Sequence, residues 1–210
     1  MAASLFDSPQ YAKLFPVGDA GRLFTDTAEV RAMMLVEGTL AKLQGKSGTI
    51  PEISAQAIHR ASLELQIDPA GLGDATGQNG VSVPGLVAEF RKLMQAPEHA
   101  QYLHFGATSQ DIADTGLMLR MRQLLSLQES VLKSVIAHLQ NLAAAHEATP
   151  MVARTYGQSA TLTSFGATVA SWGHPSIDLF DELDQLRANS LWVSLAGAAG
   201  NASALGETPT

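Results

Sequence analysis

The densest group of chemically capable side chains lies in one stretch, His104-Phe105-Gly106-Ala107-Thr108-Ser109-Gln110-Asp111. It combines an imidazole, two hydroxyls, an amide and a carboxylate around a single glycine. Imidazole titrates near neutral pH, so His104 is a candidate for proton transfer. Thr108 or Ser109 suits a helix N-cap, and with Thr108 in that role Asp111 falls at the third helical position, as in a capping box.

The backbone at such a helix start adds to this chemistry. The first amide N–H groups and the positive end of the helix dipole favour a carboxylate or a phosphate. The stretch therefore predicts an anion-binding site, and a capped helix start without further function is the simpler alternative.

Two other polar segments are candidates for the same site. Arg154-Thr155-Tyr156-Gly157-Gln158-Ser159 precedes a helical pattern, and Gln78-Asn79-Gly80 is a short polar loop. Polar loops that meet at the ends of long helices would form an anion site. No metal site is predicted, because no His, Asp or Glu residues have metal-ligand spacing. The sequence also contains no phosphate-binding glycine loop and no Gly-x-Ser-x-Gly nucleophile motif.

The composition restricts the partners. Of the 210 residues 46% are hydrophobic and 16% charged, and the net charge is −7, which argues against nucleic acid or an anionic membrane as a partner. The sequence has no cysteine, which excludes disulfides and fits a reducing compartment. We predict no signal peptide at the N-terminus and no membrane-spanning run, so the expected location is the cytoplasm.

Helices must position the polar segments, and no stretch is predicted as a strand. The apolar spacing predicts six helical segments: from 25 or 26 to 46, from 51 to 60 behind a Thr49–Glu52 capping box, from 82 to 94, a turn from 97, from 110 to 146, and from 161 to 186 with a kink or restart at Pro175. Residues 68–82 are predicted as a loop. The fold class is therefore all-α.

The helix from 110 to 146 carries one apolar stripe that steps by three and four residues. Its members are Met118, Met121, Leu125, Leu132, Val135, Leu139 and Leu142, with Gln128 the one polar exception. A second stripe of Leu117, Leu124 and Val131 makes the apolar face wider than one neighbour needs. This indicates an extended helical bundle, and an oligomer in which subunits share helices.

The first long helix contains an acidic residue among apolar ones. Glu37 lies between apolar positions, and a solvated helix edge is favoured over burial. The neighbouring Met33 and Met34 are predicted to fill the core.

These motifs resemble a known family. Residues 104–111 are similar to the first signature region of the fumarase/aspartase superfamily, in the form found in adenylosuccinate lyases and 3-carboxy-cis,cis-muconate cycloisomerases. Residues 154–158 are similar to the second region, which usually reads Arg-Thr-His followed by Gln. The likeness extends to 24–43, 78–84 and 196–200. The Asn loop before Val-Pro-Gly-Leu-Val and the Gly-Ala-Ala-Gly segment resemble the cycloisomerase branch best.

The resemblance implies an N-terminal helical domain at 1–105 and the first part of a central long-helix bundle at 106–210. It implies a cofactor-free reaction in which a carboxylate of 3-carboxy-cis,cis-muconate adds across a double bond, giving 4-carboxymuconolactone in protocatechuate breakdown. The substrate is a small tricarboxylate. A homotetramer, with active sites assembled from three subunits, is also implied.

The resemblance assigns roles by position. It implies catalytic roles for His104, Ser109 and Tyr156. It implies substrate-binding roles for six residues: Asn79, Thr108, Gln110, Arg154, Thr155 and Gln158. Thr108 and Ser109 would bind a substrate carboxylate, and His104 would bind substrate or assist a proton transfer.

Two departures from the family pattern matter. Tyr156 stands where the lyases have a general-acid histidine, and tyrosine is a poor base at neutral pH. The third signature, a Gly-Ser-Ser loop with a catalytic serine, lies beyond residue 210, so we expect this chain to be part of a longer protein. An adenylosuccinate-type lyase, a cycloisomerase for a sulfonated muconate and an inactive helical oligomerisation module stay open as alternatives.

Overall fold

The computed structural model describes residues 4–6 and 8–205. Its α-helices are α1 Gly18–Arg22, α2 Asp26–Lys46, α3 Glu52–Glu64, α4 Gly73–Asn79, α5 Val83–Met94, α6 Pro97–Ala100, α7 Ser109–Ala145 and α8 Phe165–Ser190. Two strands, β1 Pro150–Thr155 and β2 Gln158–Ser164, and 3₁₀ turns at Pro69–Leu72 and Ser203–Leu205 complete the elements. The all-α class is confirmed.

The chain divides into two compact units. The first combines residues 1–121 with 191–210, and the second comprises 122–190. Within the described residues, no helix is both long enough and apolar enough to span a bilayer.

The core of the first unit is built around α2 and α3. The α2 helix begins where predicted, because the Thr25 side chain accepts a hydrogen bond from the Ala28 N–H at 3.2 Å. Met33 and Met34 are each 1% exposed, which confirms them as core residues. Close approach of the two helices needs a glycine on α2, since a Cβ at Gly38 would overlap Ser62. This packing fixes the face of α2 that points inward.

Two local predictions in the first unit are wrong. The segment predicted as a loop at 68–82 contains a 3₁₀ turn and α4, because Asp68 caps the turn through the Ala70 N–H at 3.1 Å and Leu72 is buried. Burial and capping here outweigh the low helix propensity of glycine.

The Thr49–Glu52 capping box does not form: α3 has Pro51 as its N-cap, and the Thr49 hydroxyl bonds that of Ser47 at 2.8 Å.

The second unit contains a β-hairpin, so the prediction that no stretch forms a strand is wrong. Strands β1 and β2 pair antiparallel, with Pro150 opposite Ser164 and Thr155 opposite Gln158. The connection is two residues, Tyr156 and Gly157, with φ of 50° and 73°. Positive φ at both positions is the signature of a type I′ turn, whose twist matches that of paired strands. Tyr-Gly is not the usual Asn-Gly signal for this turn, which is why the hairpin was not predicted.

The hairpin sets where α8 begins. Because β2 occupies residues up to Ser164, α8 begins at Phe165 rather than at the predicted Thr161. It continues through Pro175 as a single helix without restarting. The predicted long helix is confirmed: α7 has 37 residues, which corresponds to roughly 55 Å.

Candidate active site

The start of α7 is organised by Asp111. Since α7 begins at Ser109, Thr108 is the N-cap residue, and the backbone N–H of Thr108 donates to Asp111 Oδ2 at 3.0 Å. The carboxylate-to-N-cap bond of the predicted capping box is therefore present.

Asp111 also binds a distant segment of the chain. Asp111 is only 1% exposed. Its carboxylate accepts hydrogen bonds from the Ser194 hydroxyl at 3.0 Å and from the Ala196 and Gly197 N–H groups at 2.9 Å each. Burial alone would raise the pKa of Asp111, but the bonds from Ala196, Thr108, Gly197 and Ser194 outweigh it and hold that pKa below its ordinary value. Asp111 is thus an ionised structural anchor that ties residues 194–197 to the start of α7.

His104 is held from the side of α2. Its Nδ1 lies 2.6 Å from Glu37 Oε1, and Glu37 is 1% exposed. The expectation of a solvated Glu37 is therefore wrong. Glu37 shares the inward face of α2 with Met33, Met34, Leu40 and Ala41, all of them buried. Its spacing of three and four residues from these neighbours was the sequence signal for burial.

Two further side chains hold the backbone on either side of His104. Gln44 Nε2 donates to the Phe105 carbonyl at 2.7 Å, and Arg91 donates to the Leu103 carbonyl at 2.8 Å. His104 itself has a φ of 65°, which is uncommon for a residue other than glycine. Helices α2 and α5 therefore fix the loop that presents His104. Sequence spacing did not predict this role for Gln44 or Arg91, because both contacts join separate elements.

The remaining predicted residues of the first unit fall into two places. Thr108 and Ser109 are half-buried at the start of α7, while Gln110 is exposed and donates to Asp114 of the same helix at 2.6 Å. Asn79 is exposed at the end of α4, where its amide donates to the Ala75 carbonyl at 2.7 Å. His104, Thr108 and Ser109 thus share one continuous segment, and Asn79 lies on a separate helix.

The four predicted residues of the second unit lie together at the tip of the hairpin. Thr155 is paired with Gln158, and Arg154 donates to the Ser159 hydroxyl at 3.4 Å. Tyr156 is fully exposed in the turn. The hairpin therefore presents a guanidinium, an amide and two hydroxyls on one exposed edge.

Two clefts formed by described residues lie elsewhere. One of about 690 Å³ runs between α2 and residues 63–69, and one of about 750 Å³ lies between α7 and α8. None of the predicted site residues lines either cleft. Across residues 4–6 and 8–205, no group of three His, Asp or Glu side chains is arranged to hold a metal ion.

The segment 104–109 has the chemistry of a carboxylate site. The hydroxyls of Thr108 and Ser109 are half-buried donors at a helix start, where a carboxylate is favoured. His104 adds a group that can donate, accept or transfer a proton. The arrangement suits a substrate that carries carboxylates and undergoes proton transfer.

Comparison with known proteins gives a consistent result. A family model described as "Lyase" matches residues 21–210. Nitrosuccinate lyase from Streptomyces davaonensis is 37% identical over 84% of this chain and 37% of its own length. The 3-carboxy-cis,cis-muconate cycloisomerase of Pseudomonas aeruginosa is 31% identical over 98% of this chain and 44% of its own length. The crystal structure of the β-carboxy-cis,cis-muconate cycloisomerase from Acinetobacter calcoaceticus covers 94% of this chain and 47% of that enzyme, with a TM-score of 0.90 and 30% identity.

The chain spans less than half the length of these relatives. The resemblance to the fumarase/aspartase superfamily and its cycloisomerase branch is confirmed by the relatives and by the fold. With the family model matching most of its residues, the chain belongs to the lyase family.

Proposed function

We propose that this chain is part of a cofactor-independent cycloisomerase that converts 3-carboxy-cis,cis-muconate to 4-carboxymuconolactone in protocatechuate degradation. The observation that carries the proposal is the segment at the start of α7, where His104, Thr108 and Ser109 follow one another on a loop held by α2 and α5. The relative named as this cycloisomerase, which matches 98% of the chain, supports the same reaction.

The chemistry fits these side chains. In the reaction a substrate carboxylate oxygen forms a bond to one alkene carbon, and the neighbouring carbon gains a proton, so no atom is lost overall. Negative charge develops beside another carboxylate before that proton arrives, and fixed donors stabilise such charge. Thr108 and Ser109 are the proposed donors to the carboxylate, and His104 is the proposed group that holds or moves the proton.

The second set of site residues needs a neighbouring subunit in this proposal. We infer a homotetramer, in which the exposed edge with Arg154, Thr155, Tyr156 and Gln158 lines an active site together with Asn79 and Gln110. Exposed apolar residues on α7 support an oligomer: Val131 is 61%, Val135 40% and Leu142 38% exposed. Surfaces of this kind mark contacts with other chains.

The setting proposed for this enzyme is the cytoplasm, with no nucleic acid or membrane partner. The acidic, cysteine-free composition supports it.

A lyase that cleaves a substituted succinate is the second candidate. The relative named nitrosuccinate lyase is 37% identical to this chain and supports it. The exposed Tyr156, at the position where adenylosuccinate-type lyases carry a histidine, argues against the adenylosuccinate form of this candidate.

The test is a parallel assay of the full-length protein. We expect 3-carboxy-cis,cis-muconate to lose its diene absorbance at a rate proportional to protein concentration, with 4-carboxymuconolactone identified by proton NMR. Nitrosuccinate, adenylosuccinate and a sulfonated muconate are assayed under the same conditions. Cleavage of either succinate without lactone formation would contradict the proposal and establish the second candidate. Turnover of the sulfonated muconate alone would change the substrate while keeping the reaction class.

A further inference from the structure

We propose that Glu37 is a positioning residue for His104, whose buried carboxylate keeps the imidazole proton on Nδ1 and leaves Nε2 for the substrate. The inference rests on the proposed function, because it assumes that His104 acts at the reacting atoms. It adds a residue of α2 to which the resemblance assigns no role.

The contact with Glu37 carries the proposal about the imidazole tautomer. His104 Nδ1 lies 2.6 Å from Glu37 Oε1, a short distance typical of a charge-assisted hydrogen bond. An ionised carboxylate only accepts hydrogen bonds, so Nδ1 must carry the hydrogen. Nε2 then carries a lone pair in the neutral ring and a hydrogen in the cation. In the part of the chain that the structure describes, Nε2 makes no hydrogen bond, and the His104 side chain is 20% exposed.

Burial of the Glu37 carboxylate costs free energy unless a hydrogen-bond donor compensates for the lost hydration. The Glu37 side chain is 0% exposed, and its second oxygen, Oε2, has no hydrogen-bond partner among the described residues. An apolar residue of similar volume would occupy this position of α2 without the cost of desolvating a carboxylate. Among residues 4–6 and 8–205, the hydrogen-bond partner of the Glu37 carboxylate is the imidazole of His104.

The loop does not depend on Glu37 for its path. The carbonyls of Leu103 and Phe105 are held by Arg91 and Gln44, at 2.8 and 2.7 Å. These two bonds flank His104 and hold its left-handed backbone. Removing the charge of Glu37 is therefore expected to change where the imidazole proton resides rather than where the loop lies.

The experiment uses Glu37→Gln in the full-length protein. Glutamine keeps the size of the side chain, but its amide can also donate to Nδ1, so the carboxylate no longer enforces the Nδ1–H form. Nitrogen-15 NMR on histidine-labelled protein reads the tautomer directly, with the His104 signal assigned as the one missing from His104→Asn. We expect Nδ1–H in the wild type and a shift of population to Nε2–H in the variant. We also expect kcat to fall roughly ten- to a hundredfold, as is typical for a carboxylate that orients a functional histidine, with little change in KM.

Glu29→Gln is the matched control, because it makes the same change on α2 at a carboxylate that pairs with Arg120 and not with His104. It should leave the Nδ1–H signal of His104 in place. A purely structural role for Glu37 would lower the thermal midpoint of Glu37→Gln without moving the tautomer, and that result would overturn the proposal.

The wild-type spectrum decides the matter even if Glu37→Gln fails to fold: a proton on Nε2 rather than Nδ1 overturns the proposal, and a proton on Nδ1 supports it. The tautomer is read without substrate, so its outcome is separate from that of the proposed function. An Nδ1–H signal in a protein that turns over no muconate would contradict the cycloisomerase and still support the positioning of His104.

Discussion

Replacing Asp111 by Asn is expected to accelerate amide hydrogen exchange at Ala196 and Gly197 about a hundredfold. Each carboxylate oxygen of Asp111 accepts two hydrogen bonds. Oδ2 accepts from the Thr108 and Gly197 N–H groups, and Oδ1 accepts from the Ser194 hydroxyl and the Ala196 N–H. An asparagine amide turns an NH₂ group toward one of these pairs and leaves two buried donors without an acceptor. At about 1–3 kcal/mol for each lost partner, the loss is about 3 kcal/mol, or a hundredfold in the local opening equilibrium.

Asp114→Asn is the matched control, since this residue lies one turn along the same helix and its carboxylate accepts a hydrogen bond from the Gln110 side chain rather than from residues 194–197. It should leave the protection of Ala196 and Gly197 unchanged. Equal protection in wild type and Asp111→Asn would contradict the anchoring role.

The anchoring role of Asp111 also predicts how the protection of Ala196 and Gly197 depends on pH. The folded pKa of Asp111 lies below its ordinary value of 3.8. A carboxyl with a lowered pKa contributes stability above the unfolded pKa and loses it as the pH falls through the folded value. The difference in protection between wild type and Asp111→Asn should therefore be constant above about pH 5 and shrink in acid below pH 3.8.

Replacing His104 by Asn is expected to lower kcat for 3-carboxy-cis,cis-muconate roughly 10²- to 10⁴-fold, the usual contribution of a positioned acid–base group. Asparagine tolerates the left-handed backbone that His104 adopts at φ 65°, so the variant removes the imidazole while the loop keeps its conformation. The measurement is steady-state turnover of the full-length protein, with circular dichroism to check the fold.

His138→Asn is the control for the histidine substitution, because His138 is exposed on α7 and is outside the segment 104–109. It should retain wild-type turnover. If His104→Asn kept more than a tenth of the wild-type kcat, His104 would have no part in proton transfer.

Regular patterns in the sequence predicted the elements that position the site. The start of α2 at the Thr25 cap and the long α7 follow from caps and from apolar spacing. The contact of Asp111 with the Thr108 N–H could be predicted as well, because a capping box depends only on neighbouring residues.

The remaining features depend on contacts that sequence spacing does not encode. The partners of Asp111 at 194–197 lie more than 80 residues away, and the His104–Glu37 contact joins residues 67 apart in sequence. The hairpin was missed because its Tyr156-Gly157 turn has an uncommon residue pair. Glu37 was misassigned because a buried carboxylate is rare, even though its neighbours on α2 are apolar.

We propose that the start of α7 is an active site and not only a capped helix end. Ser109 separates the two ideas, because α7 begins at Ser109 and the cap is Thr108, so Ser109→Ala removes a hydroxyl without removing the cap.

The measurement is kcat/KM of Ser109→Ala in the full-length protein, alongside its thermal midpoint and its assembly state by sedimentation. Ser126→Ala, on an exposed part of the same helix, is the control. We predict a fall in kcat/KM of roughly a hundredfold, as for the loss of one donor to developing charge, with midpoint and assembly unchanged. A kcat/KM within a few-fold of the wild type would contradict an active site at the start of α7, and the segment 104–109 would then be a structural helix start alone.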